Sequence, residues 1–175
     1  MNLVIAILSR TPWWVFALLA LLVGLGVQQL KPRIVRLPRI VVVPGVFLAW
    51  GLIALSTRAA AAPDIVLAWL IALMLGARLG WSTTRLAGIR VDRRRGLIYL
   101  PGGWTTLVAS LSVFAAKYGL AVTAALRPHW HAAIATADVA VSGLSAGYFL
   151  ARLGRMLIWY RHSSEVDLAI AGLPR

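Results

Sequence analysis

The sequence contains no cysteine. Disulfides, thiolate metal sites and thiol redox chemistry are therefore excluded. Acidic residues are almost as scarce: Asp64, Asp92, Asp138, Glu165 and Asp167 are all there are, against 18 basic residues, for a net charge of +13. A catalyst built from this chain would have little acid–base equipment. No glycine-rich phosphate loop, Ser/His/Asp order or paired-carboxylate motif occurs. The opening Met1-Asn2-Leu3-Val4 lacks the basic region of a cleavable signal, so the first residues are expected to be retained.

What the chain has instead is apolar length. Apolar residues make up 61% and charged residues 13%, where a soluble domain is nearer about 45–50% and 25%. Such a chain cannot cover a globule with polar surface, and it reads as an all-α membrane protein forming one bundle. Its basic residues fall in clusters between apolar runs. That pattern suits loops meeting an anionic leaflet and argues against nucleic acid.

Five spans are expected, at about 13–30, 40–56, 63–81, 104–126 and 132–153. Residues 1–10 are too short to cross; they form either an outer interfacial segment or an extension of the first span. Trp13 and Trp14 suit the headgroup level. Pro44-Gly45 is expected to kink the second span. Pro63-Asp64 starts the third, with proline in the first turn and an acid at the positive helix end. Residues 82–100 are the one sizeable polar stretch. There Ile89-Arg90-Val91 and Leu97-Ile98-Tyr99-Leu100 flank a turn ending in Gly96, which predicts a short β-hairpin between the third and fourth spans. Residues 154–175 read as a tail. Basic residues alternate along these segments: one before the first span, four in the first loop, one in the second, six from Arg78 to Arg95, one in the fourth loop and four from Arg152 onward. Since cytoplasmic loops carry the excess, the N-terminus is expected outside, with the hairpin and C-terminus inside.

Two apolar runs each carry one charge where the bilayer should be: Lys117 and Asp138. A charge there costs at least about 2.5–3.5 kcal/mol, so it faces the interior and has a partner or a task. Lys117 stands nine residues before Leu126, about 14 Å inward. Asp138 stands six residues after Ala132, about 9 Å inward from the same side. A lysine side chain covers the difference. The two form a structural tie across a helical hairpin or a proton or ion relay, or they are unrelated buried residues, or a partner subunit completes one of them. Asp138, Ser142, Ser145 and Arg152 share one helix face, which reads as interhelical bonding or as the wall of a wet cavity. Gly76 and Gly80, and Gly143 and Gly147, are four apart, a spacing that lets backbones approach closely within a chain or between copies. Arg90, Arg93, Arg94 and Arg95 are expected to hold the hairpin at anionic headgroups. His129 and His131 flank Trp130 without a nearby carboxylate or thiol, a weak metal signal; neither a metal nor a cofactor is expected.

Several stretches carry a resemblance: Thr11-Pro12-Trp13-Trp14, the basic stretch from Lys31, Pro101-Gly102-Gly103-Trp104, Phe114-Ala115-Ala116-Lys117-Tyr118, and Ser145-Ala146-Gly147-Tyr148-Phe149 running to Arg152. On these the chain resembles an uncharacterised family of small multi-pass bacterial inner-membrane proteins, with serine more often standing where Gly103 does. In layout alone it is similar to CcdC-like membrane proteins, a likeness implying cytochrome c maturation; without cysteine a direct thiol role is impossible here. The expectation is a non-enzymatic structural or accessory module of a bacterial inner membrane. Its partners would be anionic lipid, another copy or a membrane protein. The alternative is a small-solute or proton-coupled transporter using Lys117 and Asp138.

Overall fold

The computed structural model describes residues 11–59 and 63–163. The readings made for residues 1–10 and for the tail beyond 163 lie outside them. The described residues form α1 (Trp13–Gln28), β1 (Arg33–Arg36), α2 (Leu37–Ala59), α3 (Pro63–Thr83), β2 (Arg90–Asp92), β3 (Leu97–Leu100), α4 (Thr105–Leu126), a 3₁₀ turn (Pro128–Trp130) and α5 (His131–His162). The helices run alternately up and down between a sheet end and the end that carries the 3₁₀ turn.

Local chemistry sets several boundaries. Pro12 precedes α1 with φ −59° and ψ 143°, near the φ its ring enforces. Pro63 opens α3 with Asp64 in its first turn, where the absent N–H is not needed and the carboxylate meets the positive end. Arg127 leaves the helical region at φ −132° and ψ 76°, because Pro128 disfavours α geometry in the residue before it. Pro44 lies inside α2. Among the described residues, three segments are long and apolar enough to cross a membrane: Pro63–Thr83, Thr105–Leu126 and Pro128–His162. α1 is apolar but has only 16 residues, about 24 Å against a hydrocarbon core of about 30 Å.

The densest packing joins α3 to α5, and glycine makes it possible. A Cβ at Gly76 would strike the Leu144 carbonyl, and one at Gly80 the Tyr148 carbonyl. Reciprocally, a Cβ at Gly147 would strike the Leu73 carbonyl, and one at Gly143 would lie 2.5 Å from the Trp69 carbonyl. Both glycine pairs therefore serve one interface within the chain, where the spacing alone left a contact between copies equally open. Trp69, Ala72, Val139, Ala146 and Phe149 are buried along it. α2 lies over the seam, with Gly51 against the Trp69 indole and Ala146. α1 and α4 form a second layer, meeting where Gly26 faces Leu107. No residue of α4 is buried.

The sheet departs from the expected hairpin. β2 and β3 pair as anticipated, but Arg33–Arg36, expected as part of the first loop, is a third strand on the other edge of β3, giving the order β1-β3-β2. Val35 and Val91 both pair with Ile98, and Val91 and Ile98 are buried. A two-stranded hairpin is marginal alone; the added strand, backed by helix ends, supplies the apolar face it lacks. The turn is built locally. Asp92 Oδ1 accepts from the Arg95 N–H at 3.1 Å, and Gly96 takes a φ of +62°, open to glycine at no steric cost. Because β1 follows α1 and β3 precedes α4, the sheet brings the first and third loops to the same end of the bundle.

Candidate functional site

Lys117 and Asp138 meet between α4 and α5. Lys117 Nζ donates to Asp138 Oδ1 at 2.6 Å, to Ser142 Oγ at 2.7 Å and to the Asp138 carbonyl at 2.9 Å. An ammonium has three N–H donors, so each has an acceptor. Ser142 Oγ in turn donates to the Asp138 carbonyl at 2.9 Å, using a backbone acceptor already present in the helix. The two charged side chains are 26% and 27% exposed. The 3₁₀ turn at Pro128–Trp130 reverses the chain so tightly that residues 117 and 138, 21 apart, come level.

Toward the turn end an open cavity of about 310 Å³ lies between the two helices, lined by Lys117, Leu120, Ala121, Ala124, His131, Ile134, Ala135 and Asp138. Its lining residues lie three or four apart on each helix, the facing stripe of an antiparallel pair. The small alanines leave the space open. Toward the sheet end the next residues of α5 along this face are closed in: Ser142 is 4% exposed and Ser145 3%, beside buried Val139 and Ala146.

The rest of the polar stripe divides. Ser145 Oγ bonds back to the Ser142 carbonyl at 2.9 Å and does not reach Lys117. Arg152 Nη1 donates to Thr105 Oγ1 at 3.1 Å, a second tie between α5 and α4, at the opposite end from the pair. Thr105 was not legible as a partner, since nothing in its own neighbourhood marks it. The same holds for Thr11, whose hydroxyl lies 2.7 Å from that of Tyr118 and joins the segment before α1 to α4, one residue from Lys117.

At the sheet end the exposed Arg93 reaches the end of α5. It donates from Nε to the Tyr160 carbonyl at 2.9 Å and from Nη2 to those of Arg161 at 2.8 Å and Ser163 at 2.5 Å. A cation there meets the negative end of α5 and its unpaired carbonyls. Arg155 does the same for α3, contacting the Trp81 carbonyl with its guanidinium 5.6 Å from the Trp81 ring centre. Arg90, Arg93, Arg94 and Arg95 are all exposed. Desolvation in the sheet lowers the pKa of Arg33 from its ordinary value, but a guanidinium stays charged at physiological pH. At the turn end Arg127 lies 5.0 Å from the Trp130 ring centre, and His129 packs edge-on against the same ring. Among the described residues there is no cluster of three or more His, Cys, Asp or Glu able to hold a metal ion.

The model of a family of unknown function (DUF6622) matches residues 1–165. No curated protein and no solved structure matches the chain.

Proposed function

The chain belongs to DUF6622, a family of unknown function, and from that premise we propose that it is a non-enzymatic structural or accessory module of a bacterial inner membrane. It crosses five times, with the sheet end in the cytoplasm and the turn end outside. The single observation behind the structural reading is the saturation of Lys117: all three donors are engaged by Asp138 and Ser142. A relay group needs an acceptor or donor to spare; this ammonium is committed. The five-span arrangement draws on the sheet, which gathers the two most basic loops at one end, as the charge alternation requires. The exposed Arg90, Arg94 and Arg95 then face the anionic leaflet, each adding on the order of 1 kcal/mol near its surface.

A second reading, transport through the pair, has one observation in its favour: the cavity that reaches Lys117 and Asp138. Reconstitution separates the two. In proteoliposomes loaded with a pH-sensitive dye and given a pH gradient, the protein should add no proton flux over empty vesicles. The doubly substituted Lys117→Met/Asp138→Leu chain should fold and behave identically. A flux present with the natural chain and lost in that variant would sink the structural reading and establish the relay.

A further inference from the structure

Lys117 and Asp138 are paired within the chain, yet about a quarter of each side chain stays uncovered at the open groove between α4 and α5. We propose that a second copy of this chain covers that groove, in a two-fold dimer whose axis runs along the membrane normal. α4 of each copy lies against the α4–α5 groove of the other, so that Lys117 of one copy faces Asp138 of the other at both contacts. Acyl chains are a costly cover for charged surface. Beside the pair the groove is lined mostly by apolar residues, Leu120, Ala121, Ala124, Ile134 and Ala135. α4 also carries no buried residue in its 22, whereas α3 and α5 bury residues along their shared seam. Lipid covers the apolar part of α4 as well as protein does; it does not answer the charges.

The arrangement of charge selects a second copy as the cover. Lys117 and Asp138 sit level on neighbouring helices, with Nζ and Oδ1 2.6 Å apart, so the dipole of the pair lies in the membrane plane. Rotation by half a turn about the normal keeps every residue at its depth and reverses that dipole. Two copies so related set positive against negative at both places, and they attract. Such an isologous contact is self-complementary and closes after two subunits. Each ammonium keeps its three acceptors within its own chain; the second copy adds an opposite charge and removes exposure. Ala121 and Ala124 keep the α4 side of the groove clear of large side chains, which lets a facing helix come close. In lipid, where apolar contact drives little association, close packing and polar attraction are what hold helices together. The dimer needs both copies threaded the same way and is indifferent to which end is cytoplasmic.

The absence of natural cysteine makes the test direct. In native membranes a short bismaleimide should join two copies of Ala121→Cys into a species of twice the chain's mass. Gly119→Cys lies about 200° away around α4, where an added Cβ meets nothing within 4 Å, and should stay single. Photobleaching of single fluorophores in dilute liposomes should count two copies of the natural chain. Ala121→Trp fills the groove, leaves Lys117 and Asp138 in place and should count one. The charge-exchanged chain Lys117→Asp/Asp138→Lys should pair with itself but associate with the natural chain more than about ten-fold less, because like charges then face each other at both contacts. Should the exchanged chain fail to fold, the cross-link and Ala121→Trp decide. Single copies at every density, or a natural chain that mixes with the exchanged chain as freely as with itself, would overturn the dimer. A cross-linked product holding a different protein would overturn it too, in favour of another membrane partner on the same face. Proton flux in the liposome assay would instead overturn the structural reading and leave the dimer standing.

Discussion

At the scale of single residues, the Lys117–Asp138 contact is strong in geometry and ambiguous in net energy. Burying two charges costs several kcal/mol each, and their attraction repays this only with good geometry and further hydrogen bonds. Both conditions hold, with a 2.6 Å contact and Ser142 and a carbonyl as additional acceptors. Removing one partner strands the other in a low dielectric. Lys117→Ala and Asp138→Ala are each expected to destabilise the bundle by about 3–5 kcal/mol, and the double replacement by less than their sum. Unfolding each variant in detergent micelles yields the coupling energy, and a value near zero would contradict the geometry. Ser142→Ala removes one bond to a charged group and should cost about 1.5–3 kcal/mol by the same measurement. Ser145→Ala should cost less, since its bond is to its own helix.

Helices and strands show where small residues matter. Gly76, Gly80, Gly143 and Gly147 let α3 and α5 pack backbone to backbone, and the obstruction to a side chain is a carbonyl that no rotamer can move. Gly76→Ala should therefore separate the two helices and lower the melting temperature in detergent. Gly119→Ala has open space on α4 and should be neutral or stabilising, by up to about 1 kcal/mol from helix propensity alone. Equal melting temperatures for the two variants would mean that the seam is not close-packed. The arginines of the β2–β3 turn separate in the same way. Arg93→Gln should fray the end of α5, seen as faster proteolysis after Tyr160 whatever the lipid. Replacing Arg90, Arg94 and Arg95 together should matter in anionic bilayers and little in neutral ones.

Across the whole molecule, the sheet is a topological statement. Strands from the first and third loops can pair only if both loops lie on one side of the membrane, and the register Arg33↔Leu100 through Arg36↔Leu97 pairs them over four residues. Reporter fusions after Arg36, Arg94 and Arg161 should read cytoplasmic, and fusions after Arg58 and Arg127 outside. A fusion after Arg36 that reads opposite to one after Arg94 would be irreconcilable with the sheet. The two layers also differ in how they are held. α2, α3 and α5 share a close-packed seam, whereas α4 buries no residue and is tied to α5 chiefly by Lys117 and Arg152. Loosening either tie acts on a helix that has little packing to hold it in place.

Composition and periodicity alone determined that the chain is a helical membrane protein, because a span needs only length and apolarity, and both are local. They also located α3, α4 and α5 and the β2–β3 turn, whose proline, glycine and acid signals sit within a few residues of the boundaries they set. The depth of Lys117 and Asp138 was countable along each helix, so that they could meet was legible without coordinates; that they do meet within one chain was decided by the tertiary structure. Tertiary structure decided the rest. The β1 strand has no period of its own over four residues and exists because β3 offers an open edge. Whether the glycine pairs face each other or a second copy depends on how α3 and α5 are rotated, which spacing does not specify. Arg93 looks like its arginine neighbours in sequence, and only the arrival of α5's carbonyls beside it gives it a different partner. The cavity beside the ion pair has the same origin: alanines are ordinary in an apolar helix, and they line a cavity only because α4 and α5 bring them together.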